Sequence, residues 1–257
     1  MISSRLDYIT NLLVTKKYIT VEEVSQHFEI SGETVRRDFK LLEQRSILKR
    51  THGGAYLEGS IVSDVGIEVR KNMLKENKEE IAKLCCDFIS PEDTIFLDNS
   101  TTSFEVAKKI THLPVTVVTF SLLITQFLSN YKNVRIVSTG GTLDTVNMCF
   151  IGKMAIDNIS SVYTRRGFIS CRSISDKYGI MDSNEQVAQI RSAGIKNSYS
   201  KYLIADHTKF SNTALYKIAD LGDFDYIITD QRPNAEWLEV LDNRGIKLVY
   251  SDDVKKS

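Results

Sequence analysis

The chain has 257 residues, of which 42% are hydrophobic and 26% charged, and its formal net charge at pH 7 is zero. Two domains are feasible at this length, and the composition excludes a disordered, fibrous or membrane-spanning chain. The four cysteines form no CxxC pair, and the four histidines have no metal-ligand spacing. We therefore expect a cytoplasmic protein without a disulfide framework, a metal or any other cofactor.

The N-terminal segment predicts two short helices. The first carries apolar residues at helical spacing, namely Leu6, Ile9, Leu12 and Leu13. The second opens at a capping box, because Thr20 stands three residues before Glu23. Val24 and Phe28 then lie one turn apart on its apolar face.

A third, basic helix is predicted from Ser31 to Leu42. Val35, Phe39 and Leu42 recur at i, i+4 and i+7, so they share a core-facing stripe. Ser31 is placed to cap the first turn. The remaining surface carries polar and charged side chains: Glu33, Thr34, Arg36, Arg37 and Lys40. Two helices joined by a short turn predict a helix-turn-helix whose second helix enters the DNA major groove.

A β-hairpin is predicted next, with Gly53 and Gly54 at the turn between Ile47 and Leu57. Six cations and two carboxylates fall between Arg36 and Arg50, an excess that favours DNA binding inside a neutral chain. We therefore predict a winged helix-turn-helix. Its candidate DNA contacts are Ser31, Glu33, Thr34, Arg36, Arg37 and Lys40 on the helix and Lys49, Arg50 and His52 on the wing.

From residue 76 onward, short apolar strands alternate with helical segments, which indicates crossover connections and a mostly parallel α/β sheet. Between the two patterns lies a stretch of mixed polar residues with little periodicity. We predict a DNA-binding domain at residues 1–57, a linker at 58–75 with a short helix near its end, and an α/β domain at 76–257.

The first predicted strand of the α/β domain is followed by the loop Asp98 to Thr102. Ligands bind at the carboxyl ends of parallel strands, and a helix N-terminus rich in hydroxyls can hold a phosphate. A plain helix cap without a ligand explains the same residues about equally well. The local sequence leaves both interpretations open.

Several of these motifs resemble the DeoR family of bacterial transcription regulators. The residues that carry the resemblance are Thr34-Val35-Arg36-Arg37-Asp38-Phe39, Leu42-Glu43 and Arg50-Thr51-His52-Gly53-Gly54-Ala55. The resemblance implies a winged helix-turn-helix followed by a sensor domain similar to ribose-5-phosphate isomerase. It also implies a homodimer or homotetramer on paired half-sites of double-stranded operator DNA, with a phosphorylated sugar as effector.

The resemblance also implies which residues bind the effector: Asp98, Asn99, Ser100, Thr101, Thr102, Thr119, Gly140, Gly141, Glu185, Lys209 and Lys78. The last five members also have explanations without a ligand: a routine turn for Gly140 and Gly141, a helix start for Glu185, and exposed surface lysines for Lys209 and Lys78. Three departures stand out: Ser100 replaces a family glycine, Phe120 replaces an asparagine, and a new group of cations lies at Arg165, Arg166 and Arg172. We interpret those cations as solvated surface charges, with an anion or partner site as the alternative.

The residues and the resemblance together predict a sequence-specific regulator, a repressor of a sugar-metabolism operon whose DNA binding responds to a sugar phosphate. Two alternatives remain: a DNA-binding regulator without a small-molecule response, and a sugar-phosphate isomerase. Isomerisation needs a positioned base, and the isomerases' Asp-Gly-x-Asp element is missing from the sequence. We therefore expect no catalytic residues.

Overall fold

The computed structural model describes residues 2–16, 18–45, 47–51, 53–56 and 67–251, except for the side chains of residues 2, 3, 14, 15, 68 and 69. The chain divides into two compact units, Met1–Lys75 and Glu76–Ser257. In the described residues, no helix combines the length and the apolar character needed to cross a bilayer.

The first unit is a winged helix-turn-helix, as predicted. Its elements are α1 (Ile2–Lys16), β1 (Tyr18–Thr20), α2 (Val21–Phe28), α3 (Gly32–Gln44), β2 (Lys49–Arg50) and β3 (Gly54–Tyr56). The three strands form an antiparallel sheet in the order β1-β3-β2. Strand β1 was not predicted, because its three residues carry too short a pattern.

Local hydrogen bonds set where α2 and α3 begin. The Thr20 hydroxyl accepts from the Glu23 N–H at 3.0 Å, and the Ser31 hydroxyl accepts from the Thr34 N–H at 3.2 Å. The predicted N-caps Thr20 and Ser31 are therefore confirmed, whereas the Glu23 side chain of the predicted capping box pairs with Lys16. Val35, Phe39 and Leu42 are at most 1% exposed, so the predicted stripe is the buried face of α3.

The described part of the predicted linker is helical and packs within the first unit. Helix α4 spans Ile67–Asn72, and Ile67 is buried. Met73 joins the core that also contains Leu13 and Leu42. The Leu74 N–H donates to Asn11 Oδ1 at 2.7 Å. The rest of the predicted linker, residues 58–66, lies outside the described residues, as does Leu57.

The second unit is built on a parallel sheet, which confirms the predicted α/β architecture. Among the described residues, seven strands pair in parallel in the order β15-β14-β12-β9-β4-β5-β6. These strands are β4 (Thr94–Leu97), β5 (Thr116–Thr119), β6 (Arg135–Ser138), β9 (Thr164–Ile169), β12 (Ser198–Ile204), β14 (Tyr226–Thr229) and β15 (Lys247–Tyr250).

Helices cover both faces of this sheet. One face is covered by α5 (Lys75–Cys86), α6 (Thr101–Lys109) and α7 (Leu122–Leu128), and the other by α8 (Lys153–Ser160), α9 (Glu185–Lys196) and α10 (Ala235–Asp242). Neighbouring strand residues alternate between the two cores, as Ile95 and Phe96 do. This alternation buries the central strands on both sides.

Two smaller sheets flank the parallel one. Strands β7 (Thr142–Asp144) and β8 (Cys149–Ile151) form a hairpin, and β10 (Ser173–Ser175), β11 (Gly179–Asp182) and β13 (Tyr216–Ala219) form an antiparallel sheet. None of these five strands was predicted, because each is short and several are largely polar.

Candidate DNA-binding and effector sites

Helix α3 presents its cations away from the core. Arg36, Arg37 and Lys40 are exposed, on the face opposite Val35 and Phe39. Arg37 Nε lies 3.8 Å from Glu33 Oε1, and the two side chains are 79% and 67% exposed. An exposed pair of this kind contributes little to stability. The basic face of α3 is thus available to a partner.

Asp38, within the same motif, faces the other way and fixes the helix. Its side chain is buried and pairs with Arg5 of α1, whose Nη2 donates to Asp38 Oδ1 at 3.0 Å and whose Nε bonds Asp38 Oδ2. A two-point guanidinium–carboxylate pair constrains orientation as well as distance. The sequence offered no role for Asp38, because its partner lies 33 residues away.

The wing is tied to α3 by an ion pair. Lys49 and Arg50 are both exposed, as expected for phosphate contacts. Arg50 also donates to Glu43 from its Nε at 2.6 Å and from its backbone N–H at 3.1 Å. These hydrogen bonds lower the pKa of Glu43. Arg50 therefore anchors the wing in addition to its predicted role, and His52 lies outside the described residues.

The Asp98 carboxylate is the hub of the loop that follows β4. It is fully buried, and its Oδ1 accepts from the Ser100 N–H at 3.0 Å, the Ser100 hydroxyl at 2.6 Å and the Ser103 hydroxyl at 2.5 Å. Its Oδ2 accepts from the Ser170 N–H at 2.9 Å. A carboxylate has about four acceptor positions. Asp98 thus shapes the loop and has no oxygen position left for a ligand.

Arg191 of α9 completes this hub. Its side chain is 4% exposed, and its Nε lies 2.7 Å from Asp98 Oδ2, without the alignment of a hydrogen bond. One terminal nitrogen donates to Asn99 Oδ1 at 3.1 Å, and the other pairs with Asp182 at the end of β11. Burial would lower the pKa of Arg191, but Asp98 and Asp182 outweigh it and raise the pKa.

Neither Arg191 nor Asp182 was among the predicted site residues. Arg191 stands one turn after Val187 and one turn before Ile195, and both of these side chains are buried. A cation on the buried stripe of a helix was therefore the signal in the sequence. Such a cation needs a buried carboxylate partner, since an unpaired buried charge is costly.

Unused donors remain at the N-terminus of α6. Ser100 caps this helix with φ −71°, a conformation that needs no glycine, so the serine fits. Thr101 and Thr102 are buried, and neither their backbone N–H groups nor their hydroxyls form a hydrogen bond in the part of the chain that the structure describes. Free N–H groups at a positive helix end favour an anion.

The predicted residues after β5 and β6 have structural roles. The Thr119 hydroxyl accepts from the Ser121 N–H at 3.0 Å. Phe120 is fully buried in the core beside Phe96, so it does not line a binding site. Gly140 and Gly141 have φ of 61° and 120°, and a Cβ on Gly141 would lie 2.7 Å from the Ile151 carbonyl oxygen. Both glycines are therefore required by the turn.

Lys209 and Lys78 come together at Asp206, which follows β12. Lys209 Nζ lies 3.9 Å from Asp206 Oδ2, and the Lys78 side chain is buried. Burial raises the pKa of Asp206, but Lys209, the Thr208 hydroxyl and Lys78 outweigh it, and the net pKa is lowered. Lys78 of α5 and Lys209 of the turn after β12, both predicted effector-binding residues, thus act on the same carboxylate.

Glu185 does not join this group. It is exposed on the first turn of α9, where its carboxylate accepts only a 3.4 Å hydrogen bond from Gln189 among the contacts described. The buried face of the same turn carries Val187 and Ala188. The structure thus places Glu185 on the exposed, outer side of α9.

The interpretation of Arg166 as a solvated charge is wrong. Its Nε donates to Asp93 Oδ2 at 2.7 Å, and its Nη1 donates to the Tyr202 hydroxyl at 3.2 Å. Asp93 lies just before β4, at the amino end of the sheet. Arg165, 69% exposed, approaches the other oxygen of Asp93 at 3.3 Å and fits the solvated interpretation better. The Arg166–Asp93 pair is therefore structural.

Comparison with known proteins agrees with both units. Residues 5–60 match the model of the DeoR-like helix-turn-helix domain, and residues 74–231 match that of the DeoR C-terminal sensor domain. The chain is 29% identical to the glycerol-3-phosphate regulon repressor of Escherichia coli, covering 96% of this chain and 98% of that protein. It is 33% identical to the L-fucose operon activator of Haemophilus influenzae, covering 82% and 85%.

A solved structure is also similar to about half of the chain. Ribose 5-phosphate isomerase A from Methanocaldococcus jannaschii superposes with a TM-score of 0.40 at 11% identity, covering 53% of this chain and 54% of that one.

Proposed function

Because the chain belongs to the DeoR family of helix-turn-helix transcription regulators, we propose that it represses a sugar-metabolism operon in the bacterial cytoplasm. In this proposal α3 enters the major groove of operator DNA, and the wing contacts the phosphates. A phosphorylated sugar, bound in the sensor domain, modulates the affinity for DNA.

The arrangement of α3 carries the DNA-binding part of the proposal. Its buried stripe and the Arg5–Asp38 pair fix one side of α3, which leaves Arg36, Arg37 and Lys40 on the exposed face. An arginine on such a face can donate two hydrogen bonds to a guanine. Two copies on one operator would read paired half-sites, so we propose a homodimer or homotetramer.

The unused donors at α6 carry the effector part. Four groups, the N–H and the hydroxyl of Thr101 and of Thr102, form no hydrogen bond among the described residues. They lie at the N-terminus of α6, the positive end of the helix dipole. A phosphate supplies the acceptors that these donors lack. Lys209, predicted to accompany them, would bind a second oxygen of the phosphate or a sugar hydroxyl.

We infer no enzymatic activity. A general base must reach the proton that it removes. The Asp98 oxygens are filled by four hydrogen bonds and the Arg191 charge, and Asp182 is paired with the same arginine. Asp176, a carboxylate in the loop between β10 and β11, pairs with Arg244 on the surface. The relatives described above are named as transcription regulators.

The test uses the single tryptophan of the chain as a reporter. Trp237 packs edge-on against Phe210 at 5.2 Å, and its Nε1 donates to the Ser211 hydroxyl at 2.8 Å. Phe210 and Ser211 directly follow Lys209 in the sequence. The full chain would be titrated with pentose, hexose and glycerol phosphates while Trp237 fluorescence and binding to its own upstream DNA are measured. We expect one compound to change both signals, and Thr101→Ala or Lys209→Ala to weaken both responses.

The other outcomes identify the alternatives. DNA binding that no compound changes would indicate a regulator without a small-molecule response. Conversion of any sugar phosphate to its isomer would indicate an enzyme. Asn133→Ala, which removes side-chain hydrogen bonds to the Thr111 and Leu113 carbonyls, is the control and should respond as the wild type does.

A further inference from the structure

The first turn of α5 is held by the carboxyl end of the parallel sheet. Asn77 Nδ2 donates to Asp230 Oδ2 at 2.7 Å. The same oxygen lies 2.6 Å from His207 Nδ1, and the other Asp230 oxygen accepts from the His207 N–H at 2.7 Å. Asp230, which follows β14, is 1% exposed. We call Asn77, Asp230 and His207 the Asn77 clamp, since Asp230 joins α5 to the loop after β12.

Charge couples this clamp to Lys209. His207, Thr208 and Lys209 form one short 3₁₀ turn capped by Asp206. Lys78, the neighbour of Asn77, acts together with Lys209 on the Asp206 carboxylate. Asp230 and Asp206 both raise the pKa of His207, whereas burial and Lys209 lower it. Three basic groups, Lys78 on α5 and His207 and Lys209 on the 3₁₀ turn, therefore share the two buried carboxylates of Asp206 and Asp230.

An anion at Lys209 would disturb this balance. A phosphate close to the ammonium group competes with Asp206, which lies 3.9 Å away. Asp206 then keeps Lys78 as its main counter-charge, and the turn that carries His207 must adjust. Because His207 and Asn77 bond the same oxygen of Asp230, a shift of the turn changes the support of the first turn of α5.

Asn77 lies where the sensor unit begins, close to the segment that leads to the DNA-binding unit. The boundary between the two compact units falls between Lys75 and Glu76, so Asn77 is the second residue of the sensor unit. The clamp therefore holds the first residues of the sensor domain, at the point where the chain arrives from the DNA-binding unit. An element with two arrangements at this place would be biased both by the effector and by the segment that leads to the DNA-binding unit.

We propose that the Asn77 clamp transmits occupancy of the effector site to the DNA-binding unit. This inference rests on the proposed sugar-phosphate response and specifies how that response is relayed. Asn77 is a positioning residue that acts through Asp230 and His207. Its loss is expected to separate effector binding from DNA binding while leaving each of them in place.

The test measures the two affinities separately in Asn77→Ala, in Asn77→Asp and in the control Asn133→Ala. The probe is the sugar phosphate that most changes DNA affinity in the wild type. Its binding is followed by Trp237 fluorescence, and DNA binding by anisotropy of labelled upstream DNA with and without it. Coupling factors of about 5 to 150 are typical of such systems.

We expect Asn77→Ala to bind the probe and DNA within about twofold of the wild type, while its coupling factor falls at least about fivefold. Asn77→Asp, which sets a carboxylate against Asp230, should lose coupling in the same way. Wild-type coupling in both folded variants would overturn the relay but leave the effector site standing. If no compound changes DNA affinity in the wild type, the effector proposal and the relay fall together.

Discussion

Arg191 Nε lies 2.7 Å from Asp98 Oδ2, and both side chains are buried between α9 and the loop after β4. This pair joins the candidate phosphate loop to α9, while Asp182 extends the connection to the antiparallel sheet. Arg191 therefore fixes the loop that would bind an anion through the Asp98 carboxylate, without being one of the groups proposed to bind the anion. Its shape is set before any ligand arrives.

Arg191→Met should destabilise the sensor domain by about 3–5 kcal/mol, because it leaves Asp98 and Asp182 as buried carboxylates without a counter-charge. Urea unfolding of the full chain, followed through Trp237, measures this. The matched control is Lys153→Met, which removes an ion pair with Asp157 whose side chains are 86% and 56% exposed. A change below about 0.5 kcal/mol is expected there.

Arg37→Ala should weaken binding to upstream DNA by about 1–3 kcal/mol if Arg37 reads a guanine, and it should leave thermal stability unchanged. The side chain is 79% exposed, so its removal takes little packing from the fold. Anisotropy on specific and scrambled DNA separates base reading from phosphate attraction. Unaltered affinity for both DNAs would contradict the assignment of α3 to the DNA interface.

Arg5→Met acts on the same helix from its buried side. Asp38 would lose its two-point partner and stay buried, so both the stability of the first unit and its DNA affinity should fall. Circular dichroism during thermal unfolding gives the first effect, and anisotropy gives the second. A loss of DNA affinity without any loss of stability would instead indicate that Arg5 contacts DNA.

Gly54→Ala should destabilise the winged unit by about 1–3 kcal/mol, because the new Cβ must displace backbone. An ideal Cβ there would lie 2.2 Å from the Ile19 carbonyl oxygen in β1. Gly53→Ala is the neighbouring control, since a Cβ at Gly53 has no atom within 4 Å. Equal unfolding temperatures for the two variants would contradict the close approach of β1 to β3.

His207 predicts a pH dependence of sensor-domain stability. The hydrogen bond to Asp230 raises the pKa of His207 above its ordinary value of about 6.5. The stabilisation is therefore complete below pH about 6.5 and is lost as pH rises through the higher folded-state pKa. Urea midpoints at several pH values test this in the wild type and His207→Gln. His207→Gln should lack the part of the fall in urea midpoint that deprotonation of His207 causes as pH rises.

The parts of the structure that the sequence predicted are those set by short-range patterns. Ser31 and Thr20 cap helices through bonds three residues away, and Val35 and Phe39 follow helical periodicity. Asn77 and Asp230 are 153 residues apart, and Arg191 and Asn99 are 92 apart. No periodicity relates such pairs, so the clamp and the hub around Asp98 became visible only in three dimensions.

Thermodynamic reciprocity gives the most direct test that effector and DNA binding are linked. The affinity for the active sugar phosphate would be measured through Trp237 in the full chain, with and without saturating upstream DNA. If the sugar phosphate weakens DNA binding by a given factor, DNA must weaken sugar-phosphate binding by the same factor. We predict this equality in the wild type and its collapse toward no effect in Asn77→Ala. A sugar-phosphate affinity that DNA leaves unchanged in the wild type would contradict an effector-controlled regulator.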